Sequence, residues 1–146
     1  MLVCQILKTK SPEIISVTPD HTMVEVLQLF RDYNIGFVLV GRYPGECLGA
    51  LSERDCCNAV AEYGTAAPAM RVGEIMNRTV ATCSTDDLLP LVMAIMTERR
   101  TRHVVVMDGD SPAGVVSIGD VVKHRLDEAL RNEQALHEYI AGTGYH

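Results

Sequence analysis

The chain is written twice. Ile15–Val40 can be laid on Ala81–Val106 at one constant offset. Asp20 then falls on Asp86, Met23 on Leu89, Val26 on Val92, Leu27 on Met93 and Phe30 on Met96. Val38, Leu39 and Val40 fall on Val104, Val105 and Val106. The second turn is one residue shorter, and after it Gly49, Ser52 and Asp55 meet Gly114, Ser117 and Asp120. Upstream, MLVCQIL lines up with MRVGEIM at residues 70–76. An internal period restricts the fold before anything else is read. Both copies must build the same unit, and whatever face one unit leaves uncovered must be buried by the next.

The unit reads strand, helix, strand, strand, helix. A short extended piece, IISVT or TVATC, opens it. An amphipathic helix near residues 22–33 follows, with Met23, Val26, Leu27 and Phe30 at helical spacing. Its partner spans 88–99, with Leu88, Leu91, Val92, Ile95 and Met96 as its apolar set and Pro90 in the first turn, where a missing N–H is harmless. Two strands come next, GFVLV to CLGAL and HVVVM to AGVVS, joined by the turns GRYPGE and DGDSP. A second helix follows each Ser-x-x-Asp. The class is α+β. A unit of this size cannot cover both faces of its sheet, so the two copies are expected to pack sheet to sheet about a pseudo-twofold axis. The boundaries are 1–62 for the first repeat, 63–69 for the linker, 70–127 for the second repeat and 128–146 for a C-terminal helical extension. The last helix is expected from Asp120 to Ile140, with GTGYH as a loose end.

Composition narrows the function. The chain has 146 residues and a net charge of −6. That acidity argues against nucleic acid or an anionic membrane as partner, although ERRTRH at 98–103 is a local basic run. No apolar stretch approaches the roughly 20 residues of a membrane span, and MLVCQILKTK is short for a signal peptide. The five cysteines are odd in number and form no Cys-x-x-Cys. The histidines show no metal-ligand spacing. We read the thiols as small apolar groups in a reducing compartment, the cytoplasm, and expect no metal. No nucleophile–base pair or catalytic motif occurs, so no enzyme is expected.

The doubled Gly-x-x-Ser-x-x-Asp phrase carries the chemistry. Its plain reading is a capping box, with the Ser capping a helix and the Asp answering from the first turn. Yet each Asp also sits where a sheet edge meets a helix N-terminus, a place suited to anionic or sugar-bearing ligands.

The doubled unit, with GALSERD and GVVSIGD closing the strands and VGEIM opening the second copy, resembles a tandem pair of CBS (cystathionine-beta-synthase) domains, a Bateman module. The resemblance covers about residues 1–127. It implies a non-catalytic sensor of adenosine nucleotides, AMP, ADP, ATP or NAD, in two clefts between the repeats, with no obligatory cofactor. The family's ribose-holding Asp and its Ser/Thr map onto Asp55 with Ser52 and Asp120 with Ser117. The same resemblance assigns Val17, Thr18, Met23, Ile35 and Gly36 to the Asp120 cleft. It assigns Ala81, Thr82, Ser84, Arg102 and His103 to the Asp55 cleft. Arg102 replaces Gly36, and Arg54 beside Asp55 replaces Gly119, so the Asp55 cleft is expected to favour the longer phosphate. The family also implies a homodimer through the helices at 53–62 and 119–130, acting on an unknown regulated target. The alternative is a ligand-indifferent module that dimerises or docks on a target protein, its Ser-x-x-Asp serving only as caps.

Overall fold

The structure, a computed structural model, describes residues 1–10 and 13–143. Each copy forms a three-stranded sheet. In the first, β1 (Ser16–Val17) runs parallel to β2 (Phe37–Val40), and β2 runs antiparallel to β3 (Gly49–Ser52). In the second, β4 (Thr82–Ser84), β5 (His103–Asp108) and β6 (Ser111–Ser117) repeat the order and the directions. A parallel neighbour needs a crossover, and the helices α2 (Met23–Tyr33) and α5 (Leu89–Arg99) supply it. Two further helices follow the sheets, α3 (Glu53–Tyr63) and α6 (Ile118–Glu138). Two short ones precede them, α1 (Val3–Lys8) and α4 (Val72–Ile75). A 3₁₀ turn over Gly64–Ala69 joins the copies and buries Ala67. Of the GTGYH end, residues 144–146 lie outside the described residues.

The strands show why their sequences are almost wholly apolar. Val38, Val40 and Leu51 face the helices of the first copy, while Leu39, Phe37 and Ala50 face the other sheet. Val104, Val106 and Val116 face the helices of the second copy, while Val105, Met107 and Val115 face back. Alternate side chains point to opposite faces, and here both faces are covered. The layer between the sheets is self-matched: Leu39 and Val105, Ala50 and Val115, Ile14 and Val80 occupy corresponding places in the repeat. Phe37 and His103, another such pair, stack with ring centroids 4.5 Å apart.

Thr22 caps α2 by accepting the Glu25 N–H at 3.3 Å. The buried face of α2 is Met23, Val26 and Phe30, and that of α5 is Leu89, Val92 and Met96. Leu27, Leu88 and Leu91, expected inside, are exposed. Leu88 is the residue before the first turn, and at about 100° per residue Leu91 lies opposite the Leu89–Val92–Met96 stripe.

The leading helices are exchanged between copies. Val3 and Ile6 of α1 are buried with Ala81, Leu89, Val92 and Val104 of the second copy. Val72 of α4 is buried with Val17, Met23, Val26 and Val38 of the first. Backbone bonds fix both crossings at matching positions. Val3 N–H and Cys4 N–H donate to Asp87 O and Thr85 O, while Val72 N–H and Gly73 N–H donate to His21 O and Pro19 O, all at 2.8–3.0 Å. The sequence repeat and the packed unit are thus out of step by one helix.

Candidate functional site

Both Ser-x-x-Asp phrases form capping boxes. Ser52 Oγ accepts the Asp55 N–H at 3.2 Å, and the Ser52 N–H donates to Asp55 Oδ2 at 2.9 Å. Ser117 and Asp120 do the same at 3.2 and 2.8 Å. The N–H that follows each cap is tied to the entrance of the neighbouring strand: Glu53 N–H donates to Gly36 O and Ile118 N–H to Arg102 O. The boxes use Oδ2 of each carboxylate, and a carboxylate has about four lone-pair sites, so Oδ1 keeps its accepting capacity. Capping and ligand recognition are therefore compatible in one residue.

The two helix starts differ in their surroundings. Beside α6 lies a cavity of about 490 Å³ between the sheets, lined by Ile14, Ile35, Gly36, Phe37, His103, Val115 and Ser117 with Leu7 and Lys10 from the exchanged N-terminal segment. Lys10 Nζ donates to Asp120 Oδ2 and to Val115 O, each at 2.6 Å. Burial alone would raise the Asp120 carboxyl, but the Lys10 ammonium and the Ser117 N–H outweigh it and hold it below the usual carboxylate range. On the neighbouring strand, where His103 pairs with Ser117, burial pushes it down to about 4, the Lys10 and Arg102 charges add to the fall, and Asp120 opposes it. His103 is thus neutral at pH 7, a flat aromatic wall stacked on Phe37.

Beside α3 the matching space is held by backbone. Asn77 pairs with Ala50, its N–H donating to Ala50 O at 2.8 Å and its carbonyl accepting from Ala50 N–H at 2.9 Å. Ala50 and Val115 are repeat counterparts, so a main-chain amide here does what Lys10 does there. The Gly49 position leaves only 2.5 Å between an added Cβ and Asn77 O. At Gly114 the nearest atom is a side-chain methyl, Leu7 Cδ2 at 2.7 Å. Both glycines are close approaches, one to main chain and one to side chain.

The remaining sequence candidates are spread out. Ile35 and Gly36 line the Asp120-side cavity as expected. Val17 and Thr18 line a second cavity of about 430 Å³ at the far end of β1, beside Arg42, Tyr43 and Glu46. Met23 is 1% exposed in the core of the first copy. His103, expected in the Asp55 cleft, lines the Asp120-side cavity. Ala81 is buried in the second core, and Thr82, Ser84, Arg102 and Arg54 are exposed. The cation that meets a capping Asp is Lys10, a residue that the sequence motifs do not mark. Its only sequence signal is its place, just after a helix whose exchange is invisible in one dimension.

Among the described residues, no group of three or more His, Cys, Asp or Glu could hold a metal ion, and no helix is long and apolar enough to cross a membrane. The five cysteines are unpaired.

Comparison with known proteins agrees with the doubled unit. The CBS domain family model matches residues 5–62 and again 72–127. The CBS-domain-containing protein ATU1752 from Agrobacterium tumefaciens is 36% identical, with a TM-score of 0.82 over 86% of this chain and 99% of that one. The CBS domain protein PAE2072 from Pyrobaculum aerophilum, solved in complex with AMP, is 25% identical, with a TM-score of 0.70 over 82% of this chain and 89% of that one. The mitochondrial CBS domain-containing protein CBSX3 of Arabidopsis thaliana is 32% identical over 133 residues, 88% of this chain. The chain spans only 64% of that relative's length. Two matched copies, two equivalent sheets and two Ser-x-x-Asp helix starts make this chain a member of the CBS domain family, a tandem CBS pair.

Proposed function

We propose that the protein is a non-catalytic regulatory module that binds an adenosine nucleotide, of the AMP, ADP, ATP or NAD type, between its two CBS repeats. One observation carries the reading: Ser117, the cap of the helix that Asp120 begins, lines a 490 Å³ cavity whose wall is mainly apolar and aromatic, with Lys10, Glu13 and Asn34 as further polar groups and Lys10 bonded to Asp120. Such a cavity suits a drug-sized ligand with a few convergent polar groups. In this reading Asp120 Oδ1, which the capping box leaves unused, accepts ribose hydroxyls, as a carboxylate does in dinucleotide folds. Ile35, Gly36, Phe37 and His103 offer the faces for a base. The AMP complex of the Pyrobaculum relative supports the ligand class. Asp55 with Ser52 is the second candidate site, with the neighbouring exposed Arg54 available for phosphate. The free thiols fit a reducing compartment such as the cytoplasm.

The test is calorimetric titration of the wild type, Asp120→Ala and Asp55→Ala with AMP, ATP and NAD. Losing a charged hydrogen-bond partner lowers affinity by roughly ten- to hundredfold. Asp120→Ala is expected to weaken one site by that factor and spare the other. No binding by wild type at millimolar ligand sinks the proposal.

A second reading has its own support. The capping boxes satisfy Ser-x-x-Asp without a ligand, and Ile118, Val122, Leu126 and Leu130 leave an exposed stripe along α6. An interaction module that dimerises or docks on a target needs no more than these. It is the reading that a failed titration leaves standing.

A further inference from the structure

We propose that Lys10 makes the Asp120 cleft selective for ribose ligands that carry an anionic phosphate. The inference deepens the nucleotide reading and rests on it. Lys10 has no counterpart in the other cleft, where the same carbonyl position is satisfied by the Asn77 main chain. Among the described residues that line the Asp120-side cavity, Lys10 is the only cation. His103 there is neutral near pH 7, and the Glu13 carboxylate lies on the same lining. Within the lining, phosphate attraction therefore falls to one ammonium, while Arg102, whose charge also reaches His103, stands exposed outside it.

That ammonium is placed to act. Its side chain is 32% exposed and that of Asp120 is 20% exposed, so the pair is sheltered without being sealed. Three N–H donors are available to a lysine, and Asp120 and Val115 O take two. Without a ligand, Lys10 compensates the carboxylate at the helix start. A diol that binds Asp120 donates to Oδ1, the oxygen that Lys10 does not use, and the added donors weaken the pull of Oδ2 on the ammonium. A phosphate on the same ligand then gives the ammonium an anion to pair with. Adenosine offers the diol alone. S-adenosylmethionine offers the diol with a sulfonium in the phosphate's place, which the ammonium repels, and its one carboxylate is offset by its own α-ammonium. The lysine stem is flexible, so the shift from carboxylate to phosphate needs no backbone movement. The consequence is a cleft that discriminates by ligand charge while reading the sugar through Asp120.

The experiment is calorimetric titration of the full chain with AMP, adenosine and S-adenosylmethionine, with Asp55→Ala used to silence the other cleft. In the Lys10-intact protein AMP is expected to bind at least about tenfold more tightly than adenosine, the scale of one charged hydrogen-bond partner. Lys10→Met should bring the two within about threefold by weakening AMP, and should improve S-adenosylmethionine relative to AMP. Lys10→Arg should restore the preference, which a purely structural role for the side chain does not explain. Lys10→Gln serves as a second neutral variant should the methionine form fold poorly. AMP and adenosine binding equally to the Lys10-intact protein overturns the proposal while leaving the nucleotide reading in place. A phosphate preference that survives in both neutral variants also overturns it. Absence of binding by any of the three ligands overturns the proposal together with the nucleotide reading.

Discussion

His103 shows how one side chain joins packing to pH. It stacks on Phe37 between the sheets and faces Lys10, Asp120 and Arg102. Burial and the nearby cations hold its folded pKa at about 4, against an ordinary 6.5. Between those values the unfolded chain binds the proton and the folded chain does not, so this residue makes stability fall as pH drops through that window. Above pH 6.5 its contribution is intact. His103→Phe keeps an aromatic partner for Phe37 and removes the proton. Thermal melts from pH 7 to pH 4 are expected to show the wild-type Tm declining more steeply than that of the variant. Parallel curves would mean that His103 titrates normally in the fold. From the sequence, His103 is recognisable as an aromatic at a strand entrance, and its equivalence to Phe37 is visible in the repeat. That the two rings touch is not, because contact across a pseudo-twofold axis depends on how the sheets meet.

The short leading helices have a larger role than their length suggests. A six-residue helix has little stability of its own, and α1 is held by what it buries. Ile6 and Val3 are fully buried against the second copy. Removing a buried Ile side chain to Ala costs about 2–5 kcal/mol. Ile6→Ala is therefore expected to destabilise the protein by about that amount, as read by urea denaturation. Hydrogen exchange should accelerate first in β6, which α1 packs on, and in α5 and β5 of the same core, while α2 and β2 keep more protection. Equal loss in both copies, or loss centred on the first, would contradict the exchanged packing. Although the helical spacing puts Leu27, Leu88 and Leu91 inside, where the structure exposes them, the presence of α2, α5 and the four long strands is legible in the sequence. The exchange of α1 and α4 is not, since MLVCQIL and MRVGEIM look alike and either could close either core.

One repeat pair leaves apolar surface on its second helices. Along α6, Ile118, Val122, Leu126 and Leu130 recur every fourth residue and are exposed, and α3 exposes Val60 and Tyr63. We propose that a second copy covers these faces, because one patch matched to itself across a twofold axis is the commonest closed arrangement. Helix α6 runs unbroken from Ile118 to Glu138, past the end of the second family match at residue 127. Its exposed Leu136, followed by Tyr139 and Ile140, continues the supply of apolar surface. Light scattering at micromolar concentration is expected to give twice the 16.0 kDa chain mass. Deleting residues 132–146 should lower the Tm or shift the protein toward monomer. A monomer mass for the intact chain would remove the dimer from the proposal. The repeat, the α+β class, the helix starts at Ser52 and Ser117 and the doubled sheet follow from local rules: hydrophobic period, turn chemistry and capping act over a few residues and are written in order along the chain. Lys10 meeting Asp120, His103 meeting Phe37, and the difference between an open cleft and one braced by the Asn77 main chain depend on segments far apart in sequence. Only the packing of the two copies brings those groups within bonding distance, since burial and ion pairing act on proximity in space.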